Sequence, residues 1–411
     1  MMASRRFHID FIMIQRDKIL AQLHGKKDRF AAFEAEFRDE TRAYAEALAQ
    51  LATMSGEEIN ARLANETTPG AFPTPEFELA RNFRLKFPRA FANHGEARAW
   101  ALDALFEHTT FAVDGSQIPP TRDFNIPVAA VQAAWFENHH TREGLYAKET
   151  EFEILAPDEL LVEYDGDRQI SEQMVNLRRF ELEVATMRKL IRQAAVRASA
   201  KLPLALFDSS LVISFADRLQ GEMRSRHLEA ILSLLRGAEE SGVPLIGYVD
   251  SSDARDLTKM LERCFDLPKA ERIHDAQIVN SRLEWGDRTP VLICARRGAD
   301  QKRQSVLEQI EEDGHRIGFL YLKTSGSAPP ARLDFPMWIY ERGLLDEVID
   351  LVRAEVIVGN GYPYAIEAAD AAAVITAHDR EAFLAIFQRF MEEQGIQLRT
   401  TQKAASKARR R

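Results

Sequence analysis

The change of texture at Thr109 constrains this chain more than any other feature. Before it, apolar residues recur at helical spacing; after it, short β-prone runs alternate with amphipathic stretches. Asp28 to Met54 reads as one helix, with Phe30, Phe33, Phe37, Tyr44, Leu48 and Leu51 mostly three or four residues apart. Thr67 to Pro75, rich in threonine and proline, breaks regular structure, and His94 to Glu107 is a further helix. Past Thr109 the spacing predicts strands at Phe111–Val113, Val128–Glu137 and Glu151–Tyr164, then a long helix from Ser171, its cap, to Ser199. A strand at Leu204–Phe207, a helix at Met223–Glu240, a strand at Leu245–Val249 and a helix at Asp256–Cys264 follow. Strands at Val291–Ala295, Ile317–Lys323 and Arg332–Tyr340 and helices at Leu344–Arg353 and Ala365–Glu393 complete the pattern.

Three strands, then helices and strands in alternation, is the order of the ribonuclease H type of fold. The fold class expected is therefore α/β: a ribonuclease H-like mixed sheet flanked by helices, spanning residues 108–394. A helical extension at 1–107 would serve dimerisation or partner docking, and 395–411 would form a basic tail.

No run approaches the roughly 18 to 20 apolar residues of a membrane span. Met1 to Lys18 mixes Arg5, Arg6, Asp10, Arg16 and Asp17 with its apolar residues, unlike a signal peptide, so a cytoplasmic protein with no membrane contact is expected. The two cysteines, Cys264 and Cys294, cannot build a disulfide framework and read as small core residues. A net charge of −9 argues against bulk nucleic-acid binding. The basic residues are nonetheless clustered: Arg178 to Lys201 holds seven of them against Glu181 and Glu183, and Lys403, Lys407 and Arg409 to Arg411 crowd the last nine residues.

The sharpest chemical feature is a pair of predicted strands, each ending in an acid followed by small residues, Asp114-Gly115-Ser116 and Asp208-Ser209-Ser210. The carboxyl ends of strands in an open α/β sheet face the ligand crevice, so both aspartates point to one site. On the long helix, Leu177, Phe180, Val184, Met187, Ile191 and Ala194 define an apolar face. At 100° per residue Glu183 lies about 60° from its centre and Glu181 nearer 100°, which makes Glu183 the inward acid. In the alanine-rich segment after Gly361-Tyr362-Pro363-Tyr364, Asp370 shares a stripe with Ile366, Ala373 and Val374, and a carboxylate buried there needs a cation. Four hard oxygen donors, Asp114, Glu183, Asp208 and Asp370, suit two Mn2+ or Mg2+ ions rather than zinc. Such a pair of ions fits phosphodiester hydrolysis.

At these residues the chain resembles the NurA family of nucleases, which work with the HerA hexameric DNA-translocating ATPase in DNA end processing. The resemblance rests on Phe111 to Ser116, Leu206 to Leu211, the helix with Arg179 and Glu183, Gly247-Tyr248-Val249, Arg332 to Pro336, and Gly361 to Tyr364 with Asp370, over about residues 108 to 380. It implies manganese-dependent cleavage of single-stranded DNA, 5′ to 3′ resection of duplex ends in double-strand break repair, and a homodimer docked on the ATPase ring. It also implies that Asp114, Glu183 and Asp208 hold the metals, with Tyr362 and Asp370 completing the catalytic set. A DNA channel needs cations for phosphates and aromatic faces for bases. Arg332, Tyr248, Tyr362, Arg179 and the basic residues of the Arg178 helix are the candidates, and His139 and His140 read as exposed polar residues.

Three rival readings are weaker. An actin-like ATPase needs a glycine-rich adenosine site, which only Gly359-Asn360-Gly361 approaches. An aspartyl-phosphate phosphatase needs a second acid where Ser116 stands. A non-catalytic platform for DNA or an ATPase would have no use for acids at all four places.

Overall fold

The computed structural model describes residues 16–121, 124–164, 167–197, 201–297 and 303–399. The basic residues expected in the tail at 403–411 lie outside these. The chain opens with α1 (Arg16–Gly25), α2 (Lys27–Leu51), α3 (Gly56–Leu63), β1 (Gly70–Pro73) and α4 (His94–Leu105). Next come β2 (Thr110–Ile118), β3 (Ala129–Asn138), β4 (Tyr146–Leu155), β5 (Leu161–Tyr164), β6 (Asp167–Ile170) and α5 (Glu172–Val196). Strands and helices then alternate: β7 (Leu204–Phe207), α6 (Gly221–Ser241), β8 (Leu245–Val249), α7 (Asp256–Phe265), α8 (Asp275–Asn280), β9 (Leu292–Ala295) and α9 (Val306–Glu312). The chain continues through β10 (Ile317–Leu322), β11 (Ala331–Pro336), α10 (Trp338–Glu341), α11 (Leu345–Val358), α12 (Tyr364–Ala373) and α13 (Ala377–Glu393).

Nine of these strands form one mixed sheet in the order β1-β9-β10-β11-β8-β7-β2-β3-β4, and β5 pairs with β6 in a separate ribbon. The central trio β2, β7 and β8 is parallel, and the flanking pairs are antiparallel. Central strands such as Leu204–Phe207 are buried at every position, as burial on both faces requires. Apolar side chains of α2, α5, α6, α7, α8 and α9 pack on one face of the sheet, and those of α4, α10, α11 and α12 on the other. No helix among the described residues is long and apolar enough to cross a membrane.

Several elements differ from the sequence expectation, each for a tertiary reason. Thr67–Pro75 contains β1 because Gly70–Pro73 pairs antiparallel with β9 at the sheet edge, where Pro73 removes no needed donor. Tyr44, Leu48 and Leu51 of α2 join the same core as the strands, so residues 1–107 do not form a separate unit at their described positions. Strand β2 does not stop at Val113; it runs past Asp114 to Ile118 because β3 pairs with it throughout. The strand predicted at Glu151–Tyr164 is divided between β4 and β5 by a turn opening at Pro157. Beyond Pro336 the chain turns into α10 instead of continuing the strand to Tyr340. The long terminal helix is two, because Thr376 starts α13 with a capping box, its hydroxyl accepting from the Asp379 N–H at 3.1 Å. Ser171 stands at the start of α5 without making a side-chain cap bond.

A buried ionic network ties β11 to α7. Arg332, 1% exposed, donates to Asp334 at 2.6 Å and Asp256 at 2.7 Å, and its guanidinium sits 4.0 Å from the Phe319 ring centroid. Removing that cation leaves buried Asp334 without an ion pair and buried Asp256 with Arg296 alone. Arg332→Leu is therefore expected to lower unfolding free energy by about 3–5 kcal/mol in urea titration, whereas neutralising an exposed arginine such as Arg38 should change it by less than about 1 kcal/mol.

Candidate active site

Two neighbouring strands bring the central aspartates together. Val113 of β2 is level with Phe207 of β7 in parallel register, so the residue that follows each is an aspartate. Adjacent strands lie about 4.8 Å apart, and positions level in register project to the same side. Asp114 and Asp208 thus stand side by side. Asp114 is half-buried, and burial pushes its carboxyl up to about 6; the Gly115 N–H opposes this, Asp370 and Asp208 reinforce it, and Arg179 opposes it. Asp208 keeps solvent contact, yet its surroundings also raise its carboxyl: burial first, against the Tyr362 hydrogen bond, and then the charges of Asp370 and Asp250.

Asp250 is the acid that sequence reasoning missed. It follows β8, the next strand after β7, and stands in Asp250-Ser251-Ser252, the same local pattern as Asp208-Ser209-Ser210. That repetition was the available signal.

Glu183 reaches the pair from the helix layer through a gap left by a glycine. A Cβ on Gly115 would lie 2.0 Å from Glu183 Oε1 and 2.7 Å from its Cγ and Cδ, so the glutamate occupies the space of the missing side chain. Arg179, one turn earlier, lies 3.5 Å from Glu183 Oε1 and donates to the Gly115 carbonyl at 3.1 Å. Even so, Glu183 Oε1 is buried without a hydrogen-bond partner. Burial pushes the Glu183 carboxyl up to about 7, Arg179 opposes the shift, and Asp114 and Asp208 add to it. Glu181 points elsewhere, accepting from Arg226 at 2.7 and 2.8 Å and from Arg178 at 3.1 Å.

Helix α12 supplies the remaining pieces from the opposite face. Its start is fixed by Glu355, fully buried on α11, which accepts from the Ala365 N–H at 2.9 Å and from the Thr110 hydroxyl at 2.7 Å. Its end is fixed by Ser116 and by Gln132 Nε2, both donating to the Ala373 carbonyl, the latter at 3.1 Å. Helix α12 therefore lies across β2 and β3, with Asp370 acting electrostatically on Asp114 and Asp208. Asp370 is exposed and not part of a buried stripe: Ile366 and Ala373 face the core, while Asp370 and Val374 face solvent. Just before the helix, the Tyr362 hydroxyl donates to Asp208 Oδ1 at 2.6 Å. Gly359-Asn360-Gly361 is the tight turn that delivers this tyrosine, with Asn360 and Gly361 at positive φ and a Gly359 Cβ excluded at 2.0 Å from the Tyr362 carbonyl oxygen.

Of the residues predicted to meet DNA, Tyr362 and Arg179 stand at the carboxylates, whereas Arg332, Tyr248 and several cations of α5 are buried or paired. Arg332 is committed to the buried network. Tyr248 is fully buried, its ring 5.2 Å from that of Tyr362 in an edge-on contact, and presents no face on which a base could stack. Arg178 bonds Glu153 and Glu181, Lys189 bonds Glu151, and Arg197 bonds Glu137, so these cations of α5 match acids on the sheet and on the helix itself. Arg179 is the one placed at the carboxylates. His139 and His140 are not freely exposed: His140 Nε2 lies 2.8 Å from the Thr110 hydroxyl and 3.3 Å from Glu355.

Among the described residues, no three histidine, cysteine, aspartate or glutamate side chains close into a ready coordination cluster. The donor chemistry nevertheless suits a hard divalent cation, because every donor is a carboxylate oxygen and one, Glu183 Oε1, is buried without a partner. The NurA domain model matches residues 108–375, which contain every residue of this constellation. The chain belongs to the NurA family. No curated protein sequence matches it. Among solved structures it is similar to the NurA nuclease from Sulfolobus solfataricus, at a TM-score of 0.51 and 14% identity over 93% of this chain and 98% of that one, a likeness of fold. A NurA solved with manganese aligns at a TM-score of 0.41 and 10% identity, covering 69% of this chain and 89% of that one. A further NurA structure aligns at 0.42 and 12%, covering 68% and 88%.

The raised carboxyls of this NurA protein predict a pH dependence. An acid that holds its proton more tightly folded than unfolded weakens the fold as pH rises through that interval. With Asp114 near 6 and Glu183 near 7, against about 4 in the unfolded chain, stability without divalent ions should fall from pH 5 toward pH 8. Glu183→Gln should raise the melting temperature by about 2 °C at pH 8 and by a smaller amount at pH 5, where the folded glutamate is already neutral.

Proposed function

We propose that this NurA-family protein is a metal-dependent nuclease that hydrolyses DNA phosphodiester bonds in single strands and at duplex ends. One observation carries the reading: Asp114, Asp208, Asp370 and Glu183 converge from two adjacent strands and from helices on both faces of the sheet, where, beyond burial, Asp370 and Asp208 raise the Asp114 carboxyl, Asp370 raises that of Asp208, and Asp114 and Asp208 raise that of Glu183. The NurA nuclease from Sulfolobus solfataricus, similar in fold, supports the class of activity. Mn2+ or Mg2+ held by Asp114, Glu183 and Asp208, with Asp370 beside them, would polarise a phosphoryl oxygen and acidify the attacking water.

The protein groups have distinct tasks. Arg179 holds Glu183 over Gly115 and gives an incoming phosphate a cation. Tyr362 orients Asp208 by donating to it. Burial and that same aspartate push the Tyr362 phenol above its ordinary range, so it remains a hydrogen-bond donor and not a base. A HerA-type ATPase partner, a homodimer and action in DNA end resection complete the proposal, on the strength of the family resemblance.

Labelled single-stranded DNA incubated with Mn2+ tests the reading. Asp114→Ala and Asp208→Ala should each cut cleavage by about 100-fold or more, Gly115→Ala should do so by displacing Glu183, and Glu181→Ala should stay within about twofold of the parent. Equal cleavage by parent and aspartate variants would remove the assignment. At subsaturating Mn2+, cleavage should also rise with pH, because protons on the raised Asp114 and Glu183 carboxyls compete with the metal.

A further inference from the structure

A second concave surface begins where the carboxylate site ends. Ser210, two residues after Asp208, and Val249 and Ser252, on either side of Asp250, line a cleft of about 910 Å3. Among the described residues, seven basic side chains and three aspartates line it, in a chain whose net charge is −9. Two of the acids are engaged from within the fold: Asp217 accepts from the Val306 N–H at 2.7 Å and lies 3.7 Å from Arg224, and Asp256 pairs with Arg296 and Arg332. The third, Asp253, turns outward, 3.9 Å from His274.

On the basic side, Arg218, Lys259 and Arg303 form no salt bridge among the described residues, and Arg303 donates only to the Leu219 carbonyl. The cleft floor is built. Arg296 donates to Asp256 at 2.5 and 2.6 Å, Arg332 bridges Asp256 to Asp334, and the Ser210 hydroxyl donates to Asp334 at 2.5 Å. The charged floor thus ends on the loop that carries Asp208. Among the described residues no aromatic side chain lines the cleft, which offers charge to a backbone.

We infer that this cleft grips the phosphodiester backbone of the DNA strand on one side of the scissile bond, without regard to sequence, with Arg218, Lys259 and Arg303 as the phosphate contacts. The inference rests on the nuclease reading and extends it along the strand. The test is fluorescence anisotropy of a labelled 20-nucleotide single strand, without divalent ions, at a series of salt concentrations. The parent should bind with a steep salt dependence. Arg218→Gln/Lys259→Gln/Arg303→Gln should bind about tenfold or more weakly and lose about 2 from the slope of log affinity against log salt, at about 0.7 per phosphate contact. The corresponding variant with Arg218→Lys, Lys259→Arg and Arg303→Lys should keep most of the affinity, and thermal melting of both should match the parent, since these side chains lie at the surface of the cleft.

Unchanged affinity and slope in the neutralised variant, with the parent still cleaving DNA, would overturn this inference and leave the nuclease reading standing. Loss of binding in the charge-conserving variant as severe as in the neutralised one would also overturn it, because charge would not be what the cleft supplies. A parent that neither binds nor cleaves DNA would remove both.

Discussion

Like charges forced together govern this molecule. Asp114 and Asp208 stand on adjacent strands in equivalent register, and Glu183 and Asp370 approach them from opposite faces of the sheet. Coulomb repulsion and burial act in the same direction, so the site holds protons that exposed carboxylates would release. The neighbouring groups that counter this are the Gly115 N–H, the guanidinium of Arg179 and the phenol of Tyr362. The surrounding fold must hold what the site itself pushes apart. Helix α12 is fastened at both ends, by Glu355 and by Ser116 with Gln132, and α5 is held to the sheet by Arg178, Lys189 and Arg197.

Gly115 has the opposite role. In a strand interior a glycine forfeits packing and ordering, and here the return is position: the side-chain volume it lacks is where Glu183 sits. Without that opening, a carboxylate from α5 could not come level with the two strand aspartates. The same sheet also explains why the helix had to offer Glu183 and not Glu181, whose side chain meets Arg226 on α6.

What was legible in the sequence follows the range of the interaction. Asp208 at a strand end, the inward face of α5 and the helix-forming stretch around Asp370 depend on neighbours a few residues away, and periodicity captures them. Asp114 was found by the same strand-end pattern for an incomplete reason, since β2 continues to Ile118 and it is β7 that ends beside it. Asp250 repeats the signal of Asp208 and was overlooked. For Arg332 and Tyr248 the sequence shows charge and aromaticity but not burial. Arg332 has an aspartate two residues on, at Asp334, and that spacing puts both on one face of a strand, a local hint of pairing. Glu153, Glu151 and Glu137, which answer Arg178, Lys189 and Arg197 from the sheet, lie on β3 and β4, and the cleft around Lys259 gathers residues from six separate elements and loops, so neither could be read locally. Strand β1 exists only because β9 offers an edge to it.

The central claim is that acids far apart in the chain form one cation-binding centre. Anomalous diffraction at the manganese edge, from crystals of the protein soaked in Mn2+, examines this directly. The account predicts an anomalous peak bonded to carboxylate oxygens of both Asp114 and Asp208, with Glu183 turned toward it. A well-ordered crystal with manganese bound only at other surfaces, or with these three side chains facing away from one another, would contradict it.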